Sequence, residues 1–269
     1  MSARPTLRFG CTPCPNDTWM VGAVATGRLA LPAVDLALEL ADIEALNEGA
    51  LARRYDIVKV SCALVGALAD DYALLEVGAA IADGYGPLIL TREPQSRDAL
   101  TTLRVLAPGV HTTGSALARL YAPGVALVHR RYDAIVSALR AGEFEAGIVI
   151  HEGRLTFDAY GLHCLVDLGA WWTATTGLPV ALGCYLIRRE LAARYAAPVE
   201  ALMRASLAMA ARGDDPAIAG FVRRHAQELA PQVLRDYIAL YVNARTHALG
   251  SDGRAAVLAL GQRLAALAA

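Results

Sequence analysis

Short apolar runs alternate with amphipathic stretches along the first two thirds of the chain. Leu7 to Cys11 reads as a short buried strand, followed by a Pro13-Cys14-Pro15-Asn16-Asp17 turn and an apolar helical stretch from Thr18 to about Ala25, capped by Asn16 or Asp17. Val34 to Leu40 alternates as a strand does, Asp42 opens a helix through Ala52, Ile57 to Val60 forms a strand, and Ala63 to Ala69 is predicted as a helix. Beyond the Gly84-Tyr-Gly-Pro87 turn come strands at Leu88 to Leu90 and Leu103 to Ala107, then a Gly109-Val-His-Thr-Thr-Gly114 turn opening a helix to Tyr121. A strand at Ala126 to His129, a helix at Ala134 to Ala141 and a strand at Gly147 to Ile150 continue the alternation. This order makes a parallel α/β architecture the default. From Arg189 the pattern turns wholly helical: Glu190 to Ala211, Pro216 to Gln227, Pro231 to Val242 and Arg254 to Ala268.

The alternating region contains an echo. Asp56 precedes a short buried strand with Ser61 immediately past its carboxyl end, and Glu145 precedes one with His151 in the same place; in both a helix ends just before. Ligands of open α/β sheets bind beyond the carboxyl ends of the strands, so two similar lobes facing each other would set Ser61 and His151 on opposite walls of one cleft.

Composition narrows the function classes. The 269 residues are 55% hydrophobic and 19% charged, with 25 basic against 26 acidic side chains, which suits a sizeable core and leaves no basic stripe for nucleic acid or an anionic membrane surface. The N-terminal apolar segment is too short for a signal-peptide core or a membrane span, so a cytoplasmic location is expected. Five cysteines at irregular spacing argue against a disulfide framework and fit a reducing compartment. Cys11-Thr-Pro-Cys14 is a CxxC, but no second CxxC or histidine pair accompanies it, and it reads as a tight strand-to-helix turn that happens to hold two thiols.

Few residues are placed for chemistry. His151 follows the apolar Ile148-Val-Ile150, where an imidazole whose charge changes near neutrality suits a general base; the competing reading is a histidine bonded to a loop carbonyl. Thr112-Thr113-Gly114 opens a helix, and hydroxyls with backbone N–H groups there suit a carboxylate or phosphate, or form a plain cap. Lys59, the single lysine of the chain, and Ser61 form the polar tip of the other half, where an ammonium would neutralise a substrate carboxylate unless it points to solvent. No two histidines stand at i, i+4 or in an HxH pair, so no metal site is expected, and no P-loop, GxGxxG, GxSxG or HExxH occurs.

Seven segments resemble, in order, the 1,4-dihydroxy-6-naphthoate synthases of the futalosine route to menaquinone. They are Cys14-Pro-Asn-Asp-Thr18, Lys59-Val-Ser61, His111-Thr-Thr113, Arg131-Tyr-Asp133, Ile150-His-Glu152, Asp167-Leu-Gly-Ala-Trp-Trp172 and Thr176-Gly-Leu-Pro179, and the resemblance runs from about Leu7 to Val242. It implies a two-lobed periplasmic-binding-protein-like (type II) fold with a central cleft and C-terminal helices, residues 1–88 with 189–269 in one lobe and 89–188 in the other. It implies a lyase that converts cyclic dehypoxanthine futalosine to 1,4-dihydroxy-6-naphthoate with loss of the sugar-derived carbons and no metal or organic cofactor. The implied partner is a small molecule carrying a carboxylate and an aromatic ring. His151 aligns with the family's general base, and Lys59, Val60, Ser61, Thr112 and Thr113 with its substrate-binding segments; Asn47 is a further candidate contact. Trp171-Trp172 and Gly177-Leu-Pro179 would form a loop over the ring system or pack in the core. Cys11 stands where a serine or similar residue is expected. The alternatives are a non-catalytic small-carboxylate binding or sensor protein on the same fold, and the chorismate dehydratase of the same pathway.

Overall fold

The apolar runs become the strands of two mixed sheets. A computed structural model describes residues 4–226 and 230–268. In chain order its elements are β1 (Thr6–Cys11), α1 (Pro15–Ala25), β2 (Asp35–Leu40), α2 (Ile43–Leu51), β3 (Ile57–Ser61), β4 (Tyr72–Leu74), β5 (Ala80–Ala82), β6 (Leu88–Thr91), β7 (Arg104–Ala107), α3 (Thr113–Tyr121) and β8 (Ala126–His129). There follow α4 (Ile135–Arg140), β9 (Ala146–Val149), α5 (Gly153–Thr156), β10 (His163–Asp167), α6 (Leu168–Thr176), β11 (Val180–Arg188), α7 (Arg189–Arg212), α8 (Pro216–His225), α9 (Pro231–Tyr241), α10 (Ala244–His247) and α11 (Gly250–Ala268). No helix among the described residues is long and apolar enough to cross a membrane.

The chain divides into two units. One takes the residues up to Ser61 with Val65–Ala80 and Gly183–Ser251; the other takes Cys62–Leu64, Ile81–Leu182 and the residues from Asp252 on. Two of the changeovers fall within β5 and β11. The last helix joins the second unit, where the Arg263 guanidinium lies 5.6 Å over the Trp172 ring.

The first unit carries the sheet order β2-β1-β3-β11-β4. β1 runs parallel to β2 and β3, while β11 lies antiparallel to β3 and β4, opposing Gly183 to Ser61 and Tyr185 to Lys59. Its core joins Phe9, Met20 and Val21 to Tyr185, Val199, Met203 and Leu207. Helix α1 packs on α8 so tightly that a Cβ at Gly22 would come within 2.8 Å of the Ile218 side chain. The second unit has the order β10-β6-β9-β7-β8, with β6 antiparallel to both neighbours and β7 parallel to β8 and β9. Leu88, Leu90, Leu106, Ile135, Leu139, Phe144 and Val149 form its core.

Four expectations change. The parallel default gives way to mixed sheets, because β11 and β6 each run against their neighbours. Ala63 to Ala69 is no helix: a 3₁₀ turn spans Cys62–Leu64 and turns follow, as befits a short segment interrupted by Gly66. Neither Asn16 nor Asp17 caps α1. Pro15 takes the first helical position, whose missing N–H costs nothing, and Cys14 becomes the cap residue in the extended conformation that a following proline imposes. The Trp171-Trp172 segment is helical, α6, because the Asp167 carboxylate accepts from the Gly169 and Ala170 N–H groups. The segment expected to run from Pro216 to Gln227 is helical as α8 to His225, and its end at Gln227 lies outside the described residues.

The start of α6 depends on a missing side chain. A Cβ at Gly169 would lie 2.2 Å from the Tyr85 carbonyl carbon and 2.3 Å from the Gly86 nitrogen. Gly169→Ala is expected to lower stability by about 1–3 kcal/mol in denaturant melts, since backbone has to move. Gly261→Ala, where nothing stands within 4 Å, is expected to be neutral or to stabilise α11 by up to about 1 kcal/mol.

Candidate active site

In the first unit the polar residues singled out by the sequence form a buried network. The turn from β1 into α1 points the Asp17 carboxylate inward, where Oδ2 accepts from the Thr12 hydroxyl at 2.6 Å and Oδ1 from the Asn16 amide at 3.3 Å. Lys59 Nζ donates to Asp17 Oδ1 at 2.8 Å and to the Gly78 carbonyl at 2.9 Å, and it sits 4.8 Å from the centre of the Tyr185 ring. Both charged side chains are buried, 4% and 2% exposed. Antiparallel pairing puts Tyr185 directly opposite Lys59, which accounts for the ammonium lying over that ring.

Lys59 therefore does not point to solvent, and its charge is answered within its own unit by Asp17. Val60 is buried in the same strand. Ser61, the last residue of β3, is held by Asn47 of α2: the Ser61 N–H donates to Asn47 Oδ1 at 2.9 Å and the Asn47 amide donates to Ser61 Oγ at 3.0 Å. Cys11 lies against this network beside the Tyr185 hydroxyl. Burial first, and then the Asp17 charge, push its thiol well above the ordinary range. The same two causes, in the same order, raise the Tyr185 phenol.

In the second unit Thr112 is the cap of α3, its hydroxyl accepting from the Ser115 N–H at 3.3 Å. The Thr113 hydroxyl donates to the Leu182 carbonyl at 2.7 Å and accepts from the Ala63 N–H at 3.3 Å. Gly114 lets this first turn approach β9, since a Cβ there would stand 3.2 Å from the Ile148 side chain.

His151 follows β9 by two residues with φ +59°, in the left-handed region that few non-glycine residues adopt and that tends to mark functional turns. Its ring meets that of Tyr132, centroids 4.5 Å apart and planes at 66°. Three residues on, Arg154 anchors the turn: Nη1 donates to the Gly86 carbonyl at 2.7 Å, Nη2 stands 2.7 Å from Asp167 Oδ2, and the guanidinium lies over the Tyr85 ring. Trp172 is buried with its indole N–H donating to the Pro179 carbonyl at 3.1 Å, and Trp171 meets Tyr121 edge to face. The two tryptophans thus pack on a helix rather than forming a loop.

The structure bonds Asn47 to Ser61 at the end of the strand that carries Lys59 and Val60 in one unit, and in the other it places Thr112 and Thr113 at the start of α3 and His151 beyond β9. It adds Asp17, which the sequence offered only as a helix cap, and Tyr185, Tyr132 and Arg154, which sequence reasoning passed over. Asp17 and Tyr132 lie inside quoted segments, Cys-Pro-Asn-Asp-Thr and Arg-Tyr-Asp, so their types were visible but not their partners. Tyr185 and Arg154 carried no local signal. No group of three or more His, Cys, Asp or Glu side chains among the described residues is placed to hold a metal ion.

Two α/β units with mixed sheets and a helical C-terminal third define a periplasmic-binding-protein-like fold. Solved structures with that architecture include the alkanesulfonate-binding protein SsuA of Xanthomonas axonopodis pv. citri, bound to MOPS (TM-score 0.71, 15% identity, 99% of this chain and 95% of that one). A Candida albicans protein, described as exhibiting the generic periplasmic binding protein structural fold, matches at TM-score 0.69 and 9% identity over 98% and 90% of the two chains. A crystal structure of an Archaeoglobus fulgidus protein agrees more deeply, at TM-score 0.89 and 31% identity over 97% of each chain. Sequence comparison carries the matter to the family. A family model described as menaquinone biosynthesis matches residues 7–266. The 1,4-dihydroxy-6-naphthoate synthase of Thermus thermophilus is 42% identical over 254 residues, 94% of this chain and 92% of that protein. The synthase of the same name from Streptomyces coelicolor is 42% identical over 268 residues, 97% and 93% of the two chains. The chain belongs to the menaquinone-biosynthesis family, among the 1,4-dihydroxy-6-naphthoate synthases.

Two outcomes follow from this geometry. Lys59→Met strands the Asp17 carboxylate and is expected to lower unfolding free energy by about 3–5 kcal/mol in urea melts, part of it regained when Asp17→Leu is added. At pH 8 an alkylating reagent is expected to reach Cys164 first, the one exposed cysteine, and Cys11, Cys14, Cys62 and Cys184 only after denaturation, read by peptide mass spectrometry.

Proposed function

We propose that the protein converts cyclic dehypoxanthine futalosine to 1,4-dihydroxy-6-naphthoate by carbon–carbon cleavage, with His151 as the general base. The observation that carries the reading is the 42% identity to two synthases of that name along nearly the whole chain. The placement of His151 beyond β9, in a left-handed turn, supports its role.

The chemistry asks little of the protein. Neutral His151 takes a hydroxyl proton on the sugar-derived part of the substrate, and the oxyanion electrons form a C=O as the adjacent C–C bond breaks. The pair from that bond moves onto the substrate's carbonyl as an enolate, and the proton returns from the imidazolium to the enolate oxygen. Aromatisation of the second ring drives the step, so one positioned base suffices and the substrate supplies its own electron sink. The N-terminus of α3 at Thr112-Thr113 suits the substrate carboxylate, as backbone N–H groups and the helix dipole favour an anion there. Lys59, Ser61 and Asn47 contribute to substrate binding as a fixed polar framework, with Val60 the buried apolar residue between Lys59 and Ser61, and the Lys59 charge acts through Asp17 rather than as a free cation. Free thiols suit a cytoplasmic setting.

Incubation of the protein with cyclic dehypoxanthine futalosine is expected to give a product with the mass of 1,4-dihydroxy-6-naphthoate. His151→Asn is expected to lower kcat by about 10²–10⁴-fold while binding changes little. Substrate returned unchanged by the parent protein overturns the lyase reading in favour of a binding protein, loss of chorismate absorbance favours a dehydratase, and near-normal turnover by His151→Asn removes the base.

A further inference from the structure

We infer that Tyr132 is a positioning residue for His151, holding the imidazole in its working orientation; the inference rests on His151 being the base. The backbone of the His151 turn is fixed from two sides. Arg154 ties it to the Gly86 carbonyl and to Asp167, and Gly153 lies so close to β9 that a Cβ would come within 2.6 Å of the Val149 side chain. With φ at +59° the direction of the His151 Cβ is thereby set, and what remains is rotation about the two side-chain torsions. Tyr132 restricts those torsions. Its ring meets the imidazole at 4.5 Å with planes at 66°, the edge-to-face range in which aromatic pairs attract.

Tyr132 is itself firmly mounted. It opens a 3₁₀ turn, Tyr132–Ala134, whose first turn is closed by the Ala134 N–H donating to the Arg131 carbonyl at 3.0 Å. Arg131 Nε donates to Asp133 Oδ1 at 2.8 Å across the same turn, and the Arg130 N–H donates to the Ala107 carbonyl at the end of β7. A ring on a pinned turn pressed against a ring on a pinned turn leaves the imidazole little freedom. Tyr132 is half-buried, so its replacement does not remove a core residue.

The contact is made by the ring, which separates this role from one played by the hydroxyl. Tyr132→Phe is therefore expected to keep kcat within about twofold, whereas Tyr132→Leu loses the orientation. For the leucine variant kcat falls about 10- to 100-fold with KM changed far less, the signature of a misplaced catalytic group. NMR supplies a readout independent of turnover. The His151 ring signals, assigned by their absence in His151→Asn, are expected to show the Tyr132 ring-current displacement in the parent and in Tyr132→Phe, and to lose it in Tyr132→Leu. His151 signals unmoved by Tyr132→Leu, or wild-type kcat in that variant, overturn the inference. Turnover by His151→Asn overturns the base itself, and the NMR comparison still reports whether Tyr132 fixes the ring.

Discussion

An ammonium and a carboxylate carried into an apolar sheet lose their hydration, and such a pair persists only where every remaining donor and acceptor finds a partner. Lys59 and Asp17 meet that demand. The lysine reaches Asp17, the Gly78 carbonyl and the face of Tyr185, while the carboxylate also gathers Thr12 and Asn16. The pair thus joins the turn after β1, the middle of β3, the loop at Gly78 and the opposed strand β11. Glycines make the room: a Cβ at Gly183 would stand 3.0 Å from Lys59 Cε, and one at Gly78, where φ is +86°, would stand 2.7 Å from the Tyr185 ring. Once α1 is fixed at its start, its apolar length packs on α7 and α8, and the helical third of the chain has its template.

The second unit spends its constraint differently. The His151 turn is held by a largely buried bridge from Arg154 to Asp167, a left-handed residue and a ring contact. Asp167 serves twice, pairing with Arg154 and capping α6. The position of the imidazole and the start of the helix that buries Trp172 are therefore coupled through one carboxylate. Strain at a single residue is tolerated where its surroundings leave no alternative, and such residues concentrate at functional turns.

Much of the fold was legible along the chain, and the exceptions have physical causes. The strands from Leu7, Val34, Ile57, Leu88, Ala126 and Gly147 emerged within a residue or two, because continuous or alternating apolar runs bounded by turns admit few other readings. β4 and β5 were missed because three residues show no period. β11 was missed because Val180–Arg188 is buried almost throughout and follows a segment rich in Trp and Thr, so no alternation marks it. The capping of α1 was misjudged because Pro15 shifts the helix start ahead of the polar residues that ordinarily cap. Of the site, residue types were visible while their partners were not. His151 and Thr112-Thr113 stood out by following strands, but nothing near Lys59 in sequence announced Asp17, forty-two residues away, as its counter-ion.

By itself, the sequence determined the α/β alternation, the helical C-terminal third, the near-neutral surface and the candidate residues at strand ends, because periodicity, turn chemistry and charge are local properties. Tertiary structure alone decided that β6 and β11 reverse direction, that the lone lysine is neutralised inside its own unit, and that the imidazole of His151 rests on Tyr132. Those features depend on which distant segments are brought within a few ångströms of each other, and contact at that range is set by packing around a common core, not by neighbours along the chain.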